Sequence, residues 1–386
     1  MKLLISILFF FSFSLCEIFA QCPDGDVTFI YQQDVDHFIV AYPDCTQING
    51  SLSIGELNNY NTSISDISAL NNITSIIGQL NICHTQLSNL QGLQNLNNVN
   101  GKLFIYENNQ LNSLGQLSNL TETGGVEVFL NQNLESLNGI ENIETSYGNV
   151  RIGYNPSLQN ISLSSLNSVF GYFDIIGNTA LTSLEGLNNL TYIGSLFNIS
   201  SNNLLTTLEG LESLTTIEGS KFDINNNNQL TSLQGIENLN LESLSDSGFG
   251  LLVNSNASLT TCNLQNVCNY LSLDSGNNPR EITGNMGNCL NEQAVLAACN
   301  LSVSDVGRSN EWQVFYQKQT NSLFIQTEDF SLQGIQIYNL EGQLIADKNM
   351  KSSDSEKIQI NSVHSVVLVK VISTEGKVFS KKVMIK

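Results

Sequence analysis

From residue 49 to residue 300 the apolar positions return in a fixed order: two alternating aliphatics, an asparagine three residues on, then an apolar residue at about every third place. The unit is plainest in Gly171 to Ile193, GYFDIIGNTALTSLEGLNNLTYI, and the composite reads G-x-L-x-I-x-x-N-x-x-L-x-S-L-x-G-L-x-N-L-x-x-I. Its second strand position recurs as Ile54, Ile82, Ile105, Val128, Ile152, Ile175, Ile199, Ile224, Val253 and Leu273, at gaps of 28, 23, 23, 24, 23, 24, 25, 29 and 20 residues. A period in the twenties with its irregular gaps at the two ends marks a solenoid with atypical terminal coils.

The L-x-I alternation has period two, so it predicts a short strand with two residues facing in and their neighbours facing out. Stacked coils pair such strands in parallel at roughly 4.8 Å, and ten coils make a rod on the order of 48 Å long. After the strand, Leu181, Leu184, Leu187, Leu190 and Ile193 fall three apart, which suits extended or 3₁₀ segments better than long helices. Gly186 and its equivalents Gly92, Gly139, Gly210 and Gly235 are expected at tight turns.

Three residues beyond the strand position stand Asn108, Asn131, Asn155, Asn178, Asn202, Asn227 and Asn256. One carboxamide offers both donors and an acceptor, so a buried asparagine can satisfy the backbone groups that each turn leaves unpaired. The column is expected to be a structural ladder rather than a ligand-binding comb.

On INGSLSI, IGQLNI, VNGKLFI, FGYFDII and LTSLEGLNNLTYIG the chain resembles the leucine-rich-repeat superfamily, and within it the receptor L-domain-like proteins. The resemblance implies a mainly β fold, a leucine-rich-repeat-like right-handed parallel β-solenoid, and a binding role.

Residues 1–20, MKLLISILFFFSFSLCEIFA, read as a secretory signal peptide with cleavage before Gln21. No other stretch has the ~20 apolar residues of a transmembrane span. Export permits disulfides. Cys22 and Cys45 flank residues 21–48 and are expected to bridge an N-terminal cap, while Cys262, Cys268, Cys289 and Cys299 cluster where the repeat decays and leave three pairings open. Cys83 is the odd thiol, expected to face outward on the strand where Tyr106 and Phe129 stand in later coils.

Charge divides the chain near residue 300. Residues 49–300 hold four bases against 20 acids, a net of −16, whereas 301–386 hold ten bases and nine acids. An acidic solenoid body repels nucleic acid and anionic membranes, so neither is an expected partner. Residues 301–386 abandon the repeat for alternating runs such as SLFIQT, KIQI and SVVLVKVISTEGKVFSKKVMIK, with turn signals at Glu341-Gly342 and Glu375-Gly376. They predict a small antiparallel β-sandwich domain. IQIYNLEGQLI and VVLVKVISTEGKVFSKKVMIK resemble the C-terminal sorting domain of type IX secretion substrates in Bacteroidetes. That resemblance implies recognition by the type IX secretion machinery and a final location outside the cell or on its surface.

Candidate chemistry lies on the outward strand face. Glu127, Arg151 and Asp174 occupy consecutive rungs, and Phe104, Tyr106, Phe129 and Tyr172 share their surface, an arrangement suited to stacking on a protein or glycan. A carbohydrate-active enzyme, a lyase or glycosidase on a β-helix, could use the same acids and base. With three histidines and no G-x-S-x-G, H-E-x-x-H or P-loop pattern, however, the chain reads as a non-catalytic recognition protein with no cofactor or metal.

Overall fold

A computed structural model describes residues 22–58, 62–244, 249–273, 276, 278–301, 312–317, 320–327, 330–339, 343–360 and 366–384. The expected signal peptide at 1–20 and the turn at Glu341-Gly342 lie outside them. The described residues fall into two compact units, those within Met1–Thr260 and Leu273–Met286, and those within Thr261–Ser272 and Gly287–Lys386.

The first unit is a parallel β-solenoid. Its principal strands pair in one continuous register, in which Phe29, Ile54, Ile82, Ile105, Val128, Ile152, Ile175, Ile199, Ile224, Val253 and Ile282 form a single inward column. Among the described residues the last rung is Arg280–Thr283, so Ile282 holds the place expected for Leu273. Leu273 instead follows a helix, Gln265–Ser272, which the repeat pattern did not anticipate. The first rung, Val27–Phe29, comes from the cap and pairs with Leu52–Ile54.

Leucine at the three-residue spacing fills the rest of the interior: Leu181, Leu184, Leu187, Leu190 and Ile193 are all fully buried. Their backbone closes in i to i−3 bonds, Leu187 N to Leu184 O at 3.1 Å and Leu190 N to Leu187 O at 2.9 Å. This is the geometry that a period of three demands. Phe173, Phe197 and Phe222 stack at 5.3 Å along the same interior. Gly92, Gly139, Gly186, Gly210 and Gly235 all take φ between 102° and 116°, and a Cβ on Gly139 would lie 1.9 Å from the Leu114 carbonyl oxygen. Only glycine fits there.

Each strand ends one residue before a left-handed turn. His84, Glu107, Leu130, Tyr154, Gly177, Ser201, Asn226, Ser255 and Gly284 carry φ of 53° to 69° at that place. The next residue then points inward: after His84 it is Thr85, and in each later coil it is the asparagine. Asn178 shows the pattern: its Oδ1 accepts the backbone N–H of Asn155 at 3.2 Å, and its Nδ2 donates to the Ile152 carbonyl at 2.9 Å and to Asn202 Oδ1 at 3.4 Å. Asn108, Asn131, Asn155, Asn178, Asn202, Asn227 and Asn256 have no exposed surface, and Asn285 continues the file with its Nδ2 on the Val253 carbonyl at 2.7 Å. The file therefore satisfies backbone groups that stacking would otherwise leave buried and unpaired.

In the cap, Cys22 bonds to Cys45. Helix α1, Gln32–Ala41, begins at the Asp34 carboxylate, which accepts the N–H groups of Ile30 and Tyr31 at 2.8 Å each. It lays Phe38 edge-on against Phe29 at 5.2 Å.

In the second unit α2, Gln265–Ser272, and α3, Glu292–Leu301, are joined by Cys268–Cys299, and Cys262 bonds to Cys289. One of the three open pairings is thereby selected. Beyond them, a three-stranded and a four-stranded antiparallel sheet share one core of Trp312, Leu323, Ile325, Ile335, Ile337, Val369 and Val371. The alternation in VVLVKVIS buries every second residue of Val366–Ser373, and Gly376 takes φ 81° at the expected turn.

Candidate functional site

Between the two inward columns of each rung lies one outward residue, and the register aligns these as Thr28, Ser53, Asn81, Phe104, Glu127, Arg151, Asp174, Asn198, Asp223, Leu252 and Glu281. This row is the centre of the solenoid's strand face. Parallel pairing at about 4.8 Å puts neighbours in the row within side-chain reach.

The row is internally paired. Lys102, two residues before Phe104 on the same strand, places its Nζ 3.2 Å from Glu127 Oε1, and Arg151 Nε donates to Asp174 Oδ2 at 3.2 Å. Both cations also roof aromatic rings: Lys102 Nζ is 4.7 Å from the Phe104 centroid, and the Arg151 guanidinium carbon is 4.6 Å from Phe129 and 6.0 Å from Tyr172. A cation over a ring face is favourable electrostatically. Phe104 and Tyr106 stack at 5.5 Å. In consequence Phe104, Tyr106, Phe129, Tyr172, Glu127, Arg151 and Asp174 form one half-buried patch in which every charge has an opposite partner.

Burial raises the Asp174 carboxyl above its ordinary range, against the pull of Arg151, and likewise raises the Tyr172 phenol. Neither Glu127 nor Asp174 stands as a lone acid, and Arg151 is engaged in an ion pair rather than free to act as a base.

Cys83 stands in the outward row with Tyr106, as the strand alternation predicts, yet only 2 % of it is exposed. The first coil lies against it: Cys83 shares the cleft lining with Gly55, Glu56 and Leu57, and a Cβ on Gly55, at φ 82°, would sit 1.8 Å from the Cys83 carbonyl oxygen. Burial pushes the thiol up to about 12, so at neutral pH it carries its proton and is a poor nucleophile. His84 is also buried; its Nε2 lies 2.9 Å from the Leu57 carbonyl and its Nδ1 3.6 Å from Glu107.

Two features escaped the sequence reading. One is a second aromatic row, Tyr147, Phe170 and Tyr192, with ring centroids 6.0 and 5.7 Å apart. Tyr147 is 60 % and Phe170 53 % exposed, more than any aromatic of the expected patch, and the Tyr192 hydroxyl donates to Glu218 at 2.6 Å. Their signal was available: Tyr147 and Phe170 each follow a two-residue strand, Thr145–Ser146 and Ser168–Val169, one coil apart. The other is a cleft of about 400 Å³ at the first coils, lined by Thr28, Ser53, Gln79, Asn81, Phe104 and Glu127 among others and overhung by Glu56 and Leu57.

Residues 44–158 match the Receptor L domain family, and residues 301–385 match a domain of unknown function, DUF8694. No curated protein matches the chain. The first match covers the cleft lining other than Thr28 and the ion-paired patch as far as Arg151. The solenoid is L-domain-like. Among the described residues no helix is long and apolar enough to cross a membrane, and no group of three or more His, Cys, Asp or Glu could hold a metal ion.

Proposed function

We propose that the protein is an exported, non-catalytic recognition or adhesion protein that takes a protein or glycan ligand on the strand face of its solenoid. One observation carries the reading: a continuous row of outward residues sets the aromatic rings of Phe104, Tyr106, Phe129 and Tyr172 among paired charges, on rigid rungs. Aromatic groups and arginine on a preorganised surface are what recognition uses, because little ordering entropy is lost on contact. The Receptor L domain match over 44–158 supports a ligand-binding role. The paired state of Glu127, Arg151 and Asp174 favours contact chemistry over proton transfer. A surface-immobilised full chain, presented with glycan arrays and extracellular protein fractions, should capture a ligand that the Phe104→Ser, Tyr106→Ser, Phe129→Ser triple variant loses while it remains folded. Turnover of a polysaccharide that disappears with Arg151→Ala would instead establish the enzyme.

In the same reading, residues 1–20 direct export, residues 21–48 form the N-terminal cap, residues 49–300 are the recognition body with its cysteine-rich end, and residues 301–386 are a sorting module of a bacterial type IX secretion substrate. The two antiparallel sheets around Trp312 and Val369, and the likeness of IQIYNLEGQLI to such modules, support this. Deleting 301–386 should hold the chain in the periplasm; unchanged surface display of the truncated chain would overturn the assignment.

A further inference from the structure

We infer that the cleft between the Glu56–Leu57 overhang and Phe104 binds the end of a neutral glycan, one or two pyranose rings deep. The inference rests on the recognition reading above and names its ligand class.

The cleft is built rather than incidental. On later rungs the strand runs on, as at Tyr106 and Phe129, but in the first coil the chain pivots at Gly55. With φ 82° and no room for a Cβ, Gly55 sends Glu56 and Leu57 out over the strand face. His84, whose side chain is only 3 % exposed, then holds the overhang through Nε2 at the Leu57 carbonyl. A carbonyl only accepts, so Nε2 carries the proton in this bond.

The lining selects the ligand. Thr28, Ser53 and Asn81 stand on three successive rungs and give the floor hydroxyl and amide groups. Asn81 Nδ2 donates to Ser53 Oγ at 3.1 Å, which orients the Ser53 hydroxyl hydrogen away from that bond and toward another acceptor. A sugar hydroxyl both donates and accepts, so a row of such groups matches vicinal hydroxyls. The Lys102–Glu127 pair forms one wall and contributes a donor and an acceptor with no net charge. Glu56, exposed at the mouth, adds a carboxylate. An anionic ligand would meet that carboxylate and the −16 body, so the site favours a neutral one. Phe104, with Lys102 over its ring and Tyr106 stacked beside it, gives the cleft lining an apolar aromatic group against which a pyranose can pack. At about 400 Å³ the space lies within the range of small-ligand sites.

The test uses the full chain and five neutral probes, the methyl glycosides of glucose, galactose and mannose, N-acetylglucosamine and cellobiose, with galacturonate as the anionic comparator. Binding is read by ligand-observed NMR and calorimetry. At least one neutral probe should bind with a Kd on the order of millimolar, and galacturonate at least about tenfold more weakly. Asn81→Ala and Glu56→Gln should each weaken the neutral probe about tenfold with an unchanged melting temperature, whereas Asn203→Ala, on an exposed turn, should not. Absence of binding by every neutral probe at about 20 mM, preference for galacturonate, or indifference to both cleft substitutions would overturn the inference. Protein capture that Phe129→Ser abolishes, in a protein that binds no neutral probe, would overturn the cleft alone and preserve the recognition reading; absence of both kinds of binding would remove both.

Discussion

Replacing Asn178 by leucine tests what the asparagine file does. The side chain is fully buried, and leucine matches its shape closely, so the change removes polar groups more than volume. Two main-chain groups lose their partner: the Asn155 N–H, accepted by Oδ1 at 3.2 Å, and the Ile152 carbonyl, which takes Nδ2–H at 2.9 Å. An orphaned buried donor or acceptor costs about 1–3 kcal/mol, so the pair should cost about 2–6 kcal/mol, less whatever the leucine recovers in apolar burial. Solenoid stability is a sum of coil and nearest-neighbour terms, so the loss falls on the interfaces beside this coil. Urea unfolding followed by circular dichroism should shift to a lower midpoint and broaden, or divide into two steps. Asn203→Ala, on the exposed residue after the file, provides the control and should stay within about 0.5 kcal/mol of wild type. If Asn178→Leu behaves like that control, the file is not what satisfies the turns and the reasoning fails.

Cys83, with its thiol pushed up to about 12, should resist a thiol reagent at about pH 8 in the native protein and react at once in denaturant; equal rates would contradict its burial. Burial raises the folded Asp174 carboxyl above its unfolded value of 3.8, so its contribution to stability is lost as pH climbs through that interval. The urea midpoint of Asp174→Asn relative to wild type should therefore rise as the pH climbs above 3.8, and a flat difference would refute the shift. Gly139→Ala, forced toward the Leu114 carbonyl at φ 114°, should lower stability by more than about 1 kcal/mol, whereas Gly115→Ala, where φ is not left-handed, should not; matched melting temperatures would contradict the turn assignment.

The repeat was legible because its physics is local and recurrent. Inward aliphatics at period two, leucines at period three and one asparagine per coil each report a single backbone state. That logic weakened at the ends, where the period breaks. Val27–Phe29 joins the ladder from within the cap, and the loop carrying α2 delays the last rung to Ile282 rather than Leu273. The outward face was legible as rows but not as environments. Strand alternation places Cys83 outward, yet nothing near it in sequence announces that Gly55, Glu56 and Leu57 of the first coil gather around it and leave it buried. The patch was foreseen in its residues. Its cation roofs were not, because Lys102 over Phe104 and Arg151 over Phe129 are side-chain choices rather than periodicities. The row of Tyr147 and Phe170 was not legible in the alternation because each follows a strand of only two residues, too short to mark a face.

Where a ligand sits decides the functional account. Hydroxyl-radical footprinting of the full chain, with and without a ligand captured from the array, reads protection at each aromatic side chain. The account predicts protection at Phe104, Tyr106, Phe129 and Tyr172 with Tyr147 and Phe170 unchanged; protection confined to Tyr147, Phe170 and Tyr192 would contradict it.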